Sequence, residues 1–149
     1  MSSIPLSFLS IVLSIILDFG VNTVFDTSIA SSRFTLTILT MSQMVTILAQ
    51  FFSWFIMLSN ARTVKIGGYY RMIQYFWVLF VTTLFYVVAF AIYKILLFTA
   101  VGKGIPTTEI WNDTGVVFFW SLERLLGVIH YAFSLYYMFK IITFPSQFM

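Results

Sequence analysis

The sequence contains no cysteine, a single histidine and few charged residues. The lack of cysteine excludes disulfides, thiolate catalysis and cysteine-ligated metal sites, and it leaves the redox compartment open. Zinc sites usually use more than one histidine, so His130 alone predicts a hydrogen-bonding residue rather than a metal ligand. The eight lysines and arginines are scattered along the chain, which excludes a nucleic-acid interface. We therefore expect no metal, no cofactor and no nucleic acid to bind.

What the sequence has in excess is apolar surface. Hydrophobic residues make up 60% of the 149 residues and charged residues 9%, against about 45–50% and about 25% in soluble domains. A soluble core of this size cannot hide so much apolar surface, so lipid must solvate part of it. Four apolar runs reach the length of about 20 residues that crosses a bilayer. They cover about 5–25, 34–58, 72–98 and 114–142.

These runs predict an all-α, polytopic membrane protein. They do not alternate between polar and apolar residues, as the strands of a membrane β-barrel would. The first run lacks the basic region of a signal peptide, so it is interpreted as a retained span. Short links predict an antiparallel four-helix bundle that forms a single membrane domain over residues 1–149. We expect a turn at Gly67–Gly68, and we expect Gly102, Gly104 and Pro106 to prevent helix in the last link. Asp113 or Thr114 is expected to cap the fourth span.

Four spans place both termini on the same side of the membrane. The positive-inside rule favours the cytosol for that side, because it holds more lysine and arginine than the other side. The expected terminal side holds Arg62, Lys65, Arg71 and Lys140, and the opposite side holds Arg33 and Lys103. Lys94 lies near the membrane edge on the opposite side, where we expect its side chain to snorkel.

Polar and small residues recur at helical spacing, so each span carries one stripe of them. Small residues and hydrogen bonds hold helices together in lipid, so we expect the stripes to face the bundle interior. The alternatives are a water-filled pathway and a face that docks a partner's helix. The stripes are Ser3, Ser7, Ser10, Ser14, Asp18 and Asn22; Ser42, Gln43, Thr46, Gln50, Ser53 and Asn60; Tyr75, Thr82, Tyr86, Ala89 and Tyr93; and Glu123, Gly127, His130 and Ser134.

The ionisable stripe residues predict an intramembrane polar network. An unpaired charge at the bilayer centre costs at least about 2.5–3.5 kcal/mol, so Arg124 should be neutralised inside the bundle. Asp18 and Arg124 lie at overlapping depths if their spans run antiparallel, which favours Asp18 as the partner over the adjacent Glu123. Glu123 is then expected to bind a polar side chain of the interior, and the candidates are Gln43, Gln50 and His130.

Several residues resemble the transmembrane protein 138 family. The likeness rests on "DFGVN" (18–22), on "IWND" (110–113), on "ERLLGV" (123–128) and on the tyrosine that follows it. It extends to the spacing of the remaining spans over nearly the whole chain. The chain departs from the family by Glu123 in place of glutamine and by one extra residue near Gly115. The family-like positions are Asp18, Asn22, Trp111, Asp113 and Arg124.

The resemblance implies a non-enzymatic ciliary membrane protein. Such a protein would act as a scaffold or trafficking component through contacts with other membrane proteins. It would lie at the ciliary base and transition zone, or on associated vesicle or vacuolar membranes. An accessory subunit of a respiratory or ATP-synthase complex in the mitochondrial inner membrane is the alternative. A transporter is disfavoured because no internal repeat or broken helix is evident. Membrane lipid is an expected partner in every case, and the oligomeric state stays open.

Overall fold

The computed structural model describes residues 3–25, 33–59 and 62–143, and the described chain is helical without a β-strand. Four helices are long and apolar enough to cross a membrane, which confirms the prediction of an all-α four-helix bundle. In chain order the elements are α1 (Ser3–Gly20), a π-helical turn (Val21–Phe25), α2 (Arg33–Ser59), α3 (Arg62–Gly102), α4 (Thr107–Ile110) and α5 (Thr114–Thr143).

The helix bounds agree with three of the four predicted spans. The exception is α3, which begins at Arg62, ten residues before the predicted start at residue 72. The predicted turn at Gly67–Gly68 is therefore wrong, since α3 continues through both glycines. A glycine inside a helix costs about 1 kcal/mol relative to alanine, a penalty that a helix of this length tolerates.

The link between α3 and α5 contains a short helix that the sequence analysis did not predict. Gly104 has φ of 74°, a left-handed conformation that ends α3 and that glycine adopts without steric cost. Pro106 then starts α4, because its carbonyl accepts hydrogen bonds from the backbone nitrogens of Glu109 (2.9 Å) and Ile110 (3.1 Å). Proline breaks the helix before it but suits the first turn of the helix after it.

The long helices form two antiparallel pairs, with α1 packed on α2 and α3 packed on α5. Apolar side chains fill the two ends of the bundle, and most of the buried polar side chains lie between them. The cluster at the end that carries the start of α1 contains Ile11, Trp54, Met57, Leu58, Phe76, Leu79, Tyr137, Met138 and Ile141. The cluster at the opposite end contains Leu36, Tyr93, Leu97, Ala100, Ile110 and Val116.

The prediction that the polar stripes face inward is confirmed for nearly all stripe residues. All four stripe residues of α5 are buried, as are Ser7, Ser14, Asp18 and Asn22 of the first span. Two assignments are wrong, because Ser42 and Tyr75 are exposed. The side chains of Ser3 and Asn60 lie outside the part of the chain that the structure describes. Serine is readily accommodated on a lipid-facing surface because its hydroxyl can bond to its own helix, and tyrosine suits the membrane boundary.

Candidate functional site

Asp18 is the centre of a hydrogen-bonded cluster that joins three helices. Its side chain is 1% exposed. Oδ2 accepts hydrogen bonds from the hydroxyls of Tyr86 on α3 at 2.5 Å and Tyr131 on α5 at 2.6 Å. Bonds of this length between a hydroxyl and a carboxylate are the charge-assisted kind, about twice as strong as neutral ones. One carboxylate thus ties the α1–α2 pair to the α3–α5 pair.

The predicted partner of Asp18 was Arg124, and the geometry differs from that expectation. The hydrogen bonds that the described residues make to Asp18 come from Tyr86, Tyr131 and Asn22. Arg124 acts on Asp18 by Coulombic attraction at longer range, as does Lys94. Tyr86 and Tyr131 take the nearer positions, and their phenol oxygens reach the carboxylate across the bundle.

Arg124 makes an ion pair with its sequence neighbour Glu123, with 3.9 Å between Nε and Oε2. Adjacent Cβ atoms diverge on a helix, but both side chains are long enough to converge again. The partners predicted for Glu123 are used elsewhere, since Gln43 binds Asn22 and Gln50 binds His130. Glu123 is fully buried, whereas the Arg124 side chain is 23% exposed and lies over the Trp120 ring.

Lys94 does not reach the membrane edge as expected. It is 3% exposed, and its Nζ lies 4.9 Å from the centroid of the Tyr93 ring. The attraction between an ammonium and an aromatic face compensates part of the lost hydration. Among the described residues of the bundle interior, Lys94 is a buried cation and Arg124 a half-buried one. Asp18 and Glu123 are buried carboxylates, so the formal charges of these four side chains sum to zero.

The π-helical turn at the end of α1 positions Asn22 within the same network. Single π-turns inside helices occur frequently at functional positions, because they rotate the residues that follow. The Asn22 amide nitrogen lies 3.4 Å from both Asp18 Oδ1 and the Tyr86 hydroxyl. Its carbonyl oxygen accepts a hydrogen bond from the Gln43 amide nitrogen of α2. Asn22 therefore extends the Asp18 cluster to the fourth long helix.

His130 connects α2, α3 and α5 about one turn further along the bundle. The Gln50 amide nitrogen lies 3.0 Å from His130 Nε2, and Thr83 Oγ1 lies 3.2 Å from His130 Nδ1. An amide nitrogen only donates, so Nε2 accepts and the imidazole is neutral with its proton on Nδ1. This proton is donated to Thr83, whose own hydroxyl donates to the Leu79 carbonyl. The pattern satisfies both ring nitrogens without a metal or a charge.

We expect the His130–Gln50 pair to be energetically coupled. Replacing Gln50 alone with leucine leaves Nε2 of His130 without its donor, which should cost about 1–3 kcal/mol in unfolding free energy. The double variant Gln50→Leu/His130→Phe should cost less than the sum of the two single variants, because phenylalanine keeps the stacking on Tyr86 and the Nε2 acceptor is removed together with its donor. Part of the cost remains, because the hydroxyls of Ser134 and Thr83 each lose one partner. Thermal unfolding in detergent measures both. A double variant that loses the sum of the two single losses contradicts this coupling.

α3 packs closely on α5 beside this network. The Tyr86 ring stacks on the His130 ring with 5.4 Å between centroids and 10° between planes. The ring also lies close to Gly127, where an added Cβ would lie 3.3 Å from Tyr86 Cε2. Small residues allow membrane helices to approach closely. Gly127 is therefore required for the position of Tyr86, and through it for the hydrogen bond to Asp18.

A cavity of about 40 Å³ lies next to His130, between α2 and α3. Its volume is enough for a water molecule but is far below the roughly 300–1,000 Å³ of typical ligand pockets. The cavity is lined by Ile47, Gln50, Phe51, Trp54, Phe55, Leu58, Leu79, Phe80, Thr83, Tyr86 and His130. Apolar side chains form most of this lining, so the network lies at one edge of the cavity.

The family-like positions of the last link have local structural roles. Asp113 caps α5, as predicted, by accepting hydrogen bonds at Oδ1 from the backbone nitrogens of Gly115 (2.8 Å) and Val116 (3.3 Å). Trp111 packs edge-to-face on Trp120 with 5.7 Å between ring centroids.

Tyr86, Thr83 and Tyr131 were not predicted to belong to the network, although each makes an interhelical contact in it. Tyr86 was placed on the inward stripe of its span, and that was the available signal. The prediction for Asp18 considered opposite charges but not hydroxyl donors. A buried carboxylate can be satisfied by two phenols as well as by a cation, so the tyrosines on inward stripes were equal candidates.

The arrangement holds helices together through hydrogen bonds between buried side chains. Asn22 bonds to Asp18, and Gln50 bonds to His130. Among the residues that the structure describes, no group of three or more histidine, aspartate or glutamate side chains is placed to hold a metal ion. Comparison of the chain with protein-family models, curated proteins and solved structures finds no match.

Proposed function

We propose that this chain is a non-enzymatic membrane scaffold or trafficking component that acts through lateral contacts between helices. One observation carries the proposal: the polar side chains of the four spans face one another, whereas large apolar side chains cover the outside. Among the latter are Phe52 and Phe118, both 59% exposed, and Phe139, 64% exposed. A protein with this surface meets other molecules of the membrane chiefly through its apolar exterior.

The cellular setting in this proposal is the ciliary base, and it rests on the resemblance to the transmembrane protein 138 family. The positions that carry the likeness include Asp18, which links three helices, and Asp113, which caps α5. A family with the same residues at these positions would form the same helix contacts and the same helix cap. The alternative setting is the mitochondrial inner membrane, where the chain would be an accessory subunit of a larger complex.

We propose a cytosolic location for both termini. The burial of Lys94 in the bundle supports it, because this lysine no longer counts toward the loops of the opposite side. The terminal side then has four lysines and arginines in Arg62, Lys65, Arg71 and Lys140, against two in Arg33 and Lys103. Such an excess favours the cytosol under the positive-inside rule.

Photo-crosslinking from the apolar exterior tests the scaffold proposal. A benzophenone amino acid placed at Phe52 or Phe118 of a tagged full-length copy in ciliated cells faces outward from α2 or α5. We expect both positions to crosslink to membrane proteins, and we expect fluorescence of the tag at the ciliary base. The matched control is Phe76, which is 1% exposed and should crosslink only within the chain.

The outcomes separate the alternatives. Crosslinks only to lipid from every outward position would contradict a scaffold role. Crosslinks to subunits of a respiratory or ATP-synthase complex, with the tag in the mitochondrial inner membrane, would establish the accessory-subunit alternative instead. Substrate-dependent flux in liposomes containing the purified chain would contradict both and indicate a transporter.

A further inference from the structure

The cavity next to His130 opens toward the lipid side of the bundle. Its walls come from α2 and α3, and His130 of α5 completes the lining. Phe51 and Phe55 line the cavity and are also 50% and 44% exposed on the outside of α2. The cavity of about 40 Å³ is therefore the inner part of a larger space, which encloses about 520 Å³ together with its open mouth. We call this space the α2–α3 groove.

The chemistry of the α2–α3 groove favours a neutral and mainly apolar ligand. Among the described residues that line it, none is an acid, a lysine or an arginine, and His130 is neutral. A charged headgroup would find no opposite charge there, and burying it unpaired is costly. Five of the lining side chains are aromatic, namely Phe51, Trp54, Phe55, Phe80 and Tyr86.

The wall of the groove holds a hydrogen-bond donor that the bundle does not use. Trp54 is 5% exposed, and its indole Nε1 is buried without an acceptor among the residues that the structure describes. Buried indole N–H groups usually have a partner, because an unsatisfied buried donor is unfavourable. A ligand that brings an acceptor oxygen into the groove would satisfy it.

An acceptor lies one turn away on the same helix. Gln50 uses its amide nitrogen for its bonds to His130 and Ser134, and no described residue donates to its carbonyl oxygen. Residues four apart on a helix are neighbours on one face. A hydroxyl is a small group that can accept from Trp54 and donate to Gln50 at once. The inner cavity has the volume for a group of this size, because about 40 Å³ admits a water molecule.

The donor lies at the depth where a membrane alcohol places its hydroxyl. The 27 residues of α2 span about 40 Å, about 10 Å more than the hydrocarbon core. Trp54 is five residues from the end of α2 at Ser59, about 7.5 Å along the axis. With α2 centred in the bilayer, Trp54 lies about 3 Å below the edge of the hydrocarbon. An amphipathic molecule keeps its polar tip near this edge and its apolar body below it.

We propose that the α2–α3 groove binds a sterol, a neutral membrane lipid with a single hydroxyl on a rigid apolar body. The hydroxyl accepts a hydrogen bond from Trp54 Nε1 and donates one to Gln50 Oε1. The apolar body packs on the rings of Phe51 and Phe55 at the mouth of the groove. A rigid body loses less conformational freedom on binding than a flexible acyl chain, which favours a sterol over a diacylglycerol. The binding is a property of the groove and does not depend on the scaffold role.

The test uses tritiated cholesterol and the purified full-length chain in detergent, with bound label measured by scintillation proximity. We expect saturable binding that unlabelled cholesterol displaces. Cholestane lacks the hydroxyl and makes neither hydrogen bond, so it should compete at least about fivefold more weakly. Dioleoylglycerol carries a hydroxyl on a flexible body and should also compete more weakly than cholesterol.

Two tryptophan variants provide the matched comparison. Trp54→Phe keeps an aromatic ring in the groove but removes the N–H donor, so the affinity for cholesterol should fall about two- to twelvefold, the worth of one hydrogen bond. Trp77→Phe is the control, because Trp77 is 57% exposed and lies outside the groove lining. It should bind cholesterol as the wild-type chain does. Thermal unfolding of both variants shows that they are folded.

Three results would each overturn the proposal. The first is a wild-type chain that binds no cholesterol saturably, which would leave the inner cavity to water. The second is equal competition by cholesterol and by cholestane or dioleoylglycerol. The third is an equal affinity for cholesterol in the Trp54→Phe and Trp77→Phe variants. The first two measurements use the wild-type chain, so they decide the matter even if Trp54→Phe does not fold.

Discussion

Replacing Asp18 with alanine is expected to lower the unfolding free energy by about 3 kcal/mol or more. The variant leaves the hydroxyls of Tyr86 and Tyr131 and the amide of Asn22 without the acceptor they share. Each buried donor left unsatisfied costs about 1–3 kcal/mol. The interior also loses one of the two carboxylates that balance Arg124 and Lys94. Thermal unfolding of the full chain in detergent should show a midpoint about 6–12 °C lower.

The phenol variants test whether the loss comes from these hydrogen bonds. Tyr131→Phe removes one donor and leaves Asp18 with Tyr86 and Asn22, so its cost should be about 0.6–1.7 kcal/mol, the range measured between membrane helices. In the Asp18→Ala background the same change should cost nothing or stabilise, since the hydroxyl is already orphaned there. Equal costs of Tyr131→Phe in both backgrounds would show that the pair is not coupled.

Replacing Gly127 with leucine is expected to have a comparable effect for a steric reason. An added Cβ lies 3.3 Å from Tyr86 Cε2 and 3.8 Å from Tyr131 Cε2. The Tyr86 ring cannot turn away without losing its bonds, because its hydroxyl binds Asp18 and the ring stacks on His130. α5 must therefore move off α3, and overpacking of this kind costs about 1–3 kcal/mol or more. The loss of the Asp18–Tyr86 bond adds to it.

Gly20 provides the matched control for this substitution. It is also a helical glycine of the membrane region, and an added Cβ there has nothing within 4 Å. Gly20→Leu should be neutral or should stabilise by up to about 1 kcal/mol, because leucine has the higher helix propensity. Thermal unfolding of the two variants gives the comparison. Equal midpoints for Gly127→Leu and Gly20→Leu would contradict the close packing of α3 on α5.

Local rules predicted some features of this chain well and others poorly. Asp113 or Thr114 was expected to cap α5, and Asp113 does, because a cap involves only backbone groups two or three residues away. The turn at Gly67–Gly68 was expected from a local signal, but α3 continues as a helix through both glycines. Lys94 was expected to snorkel, yet it is buried beside the Tyr93 ring. Local composition does not show what surrounds a residue in three dimensions.

The sequence by itself determined that the chain has four apolar helices and that one polar stripe of each faces inward. Both follow from properties of one segment at a time, namely the length of an apolar run and the period of 3.6 residues. Only the tertiary structure decided that Asp18 binds Tyr86 and Tyr131 while Arg124 lies against Glu123. That choice depends on the relative shift of neighbouring helices and on side-chain reach, where differences of a few ångströms separate a hydrogen bond from a long-range attraction.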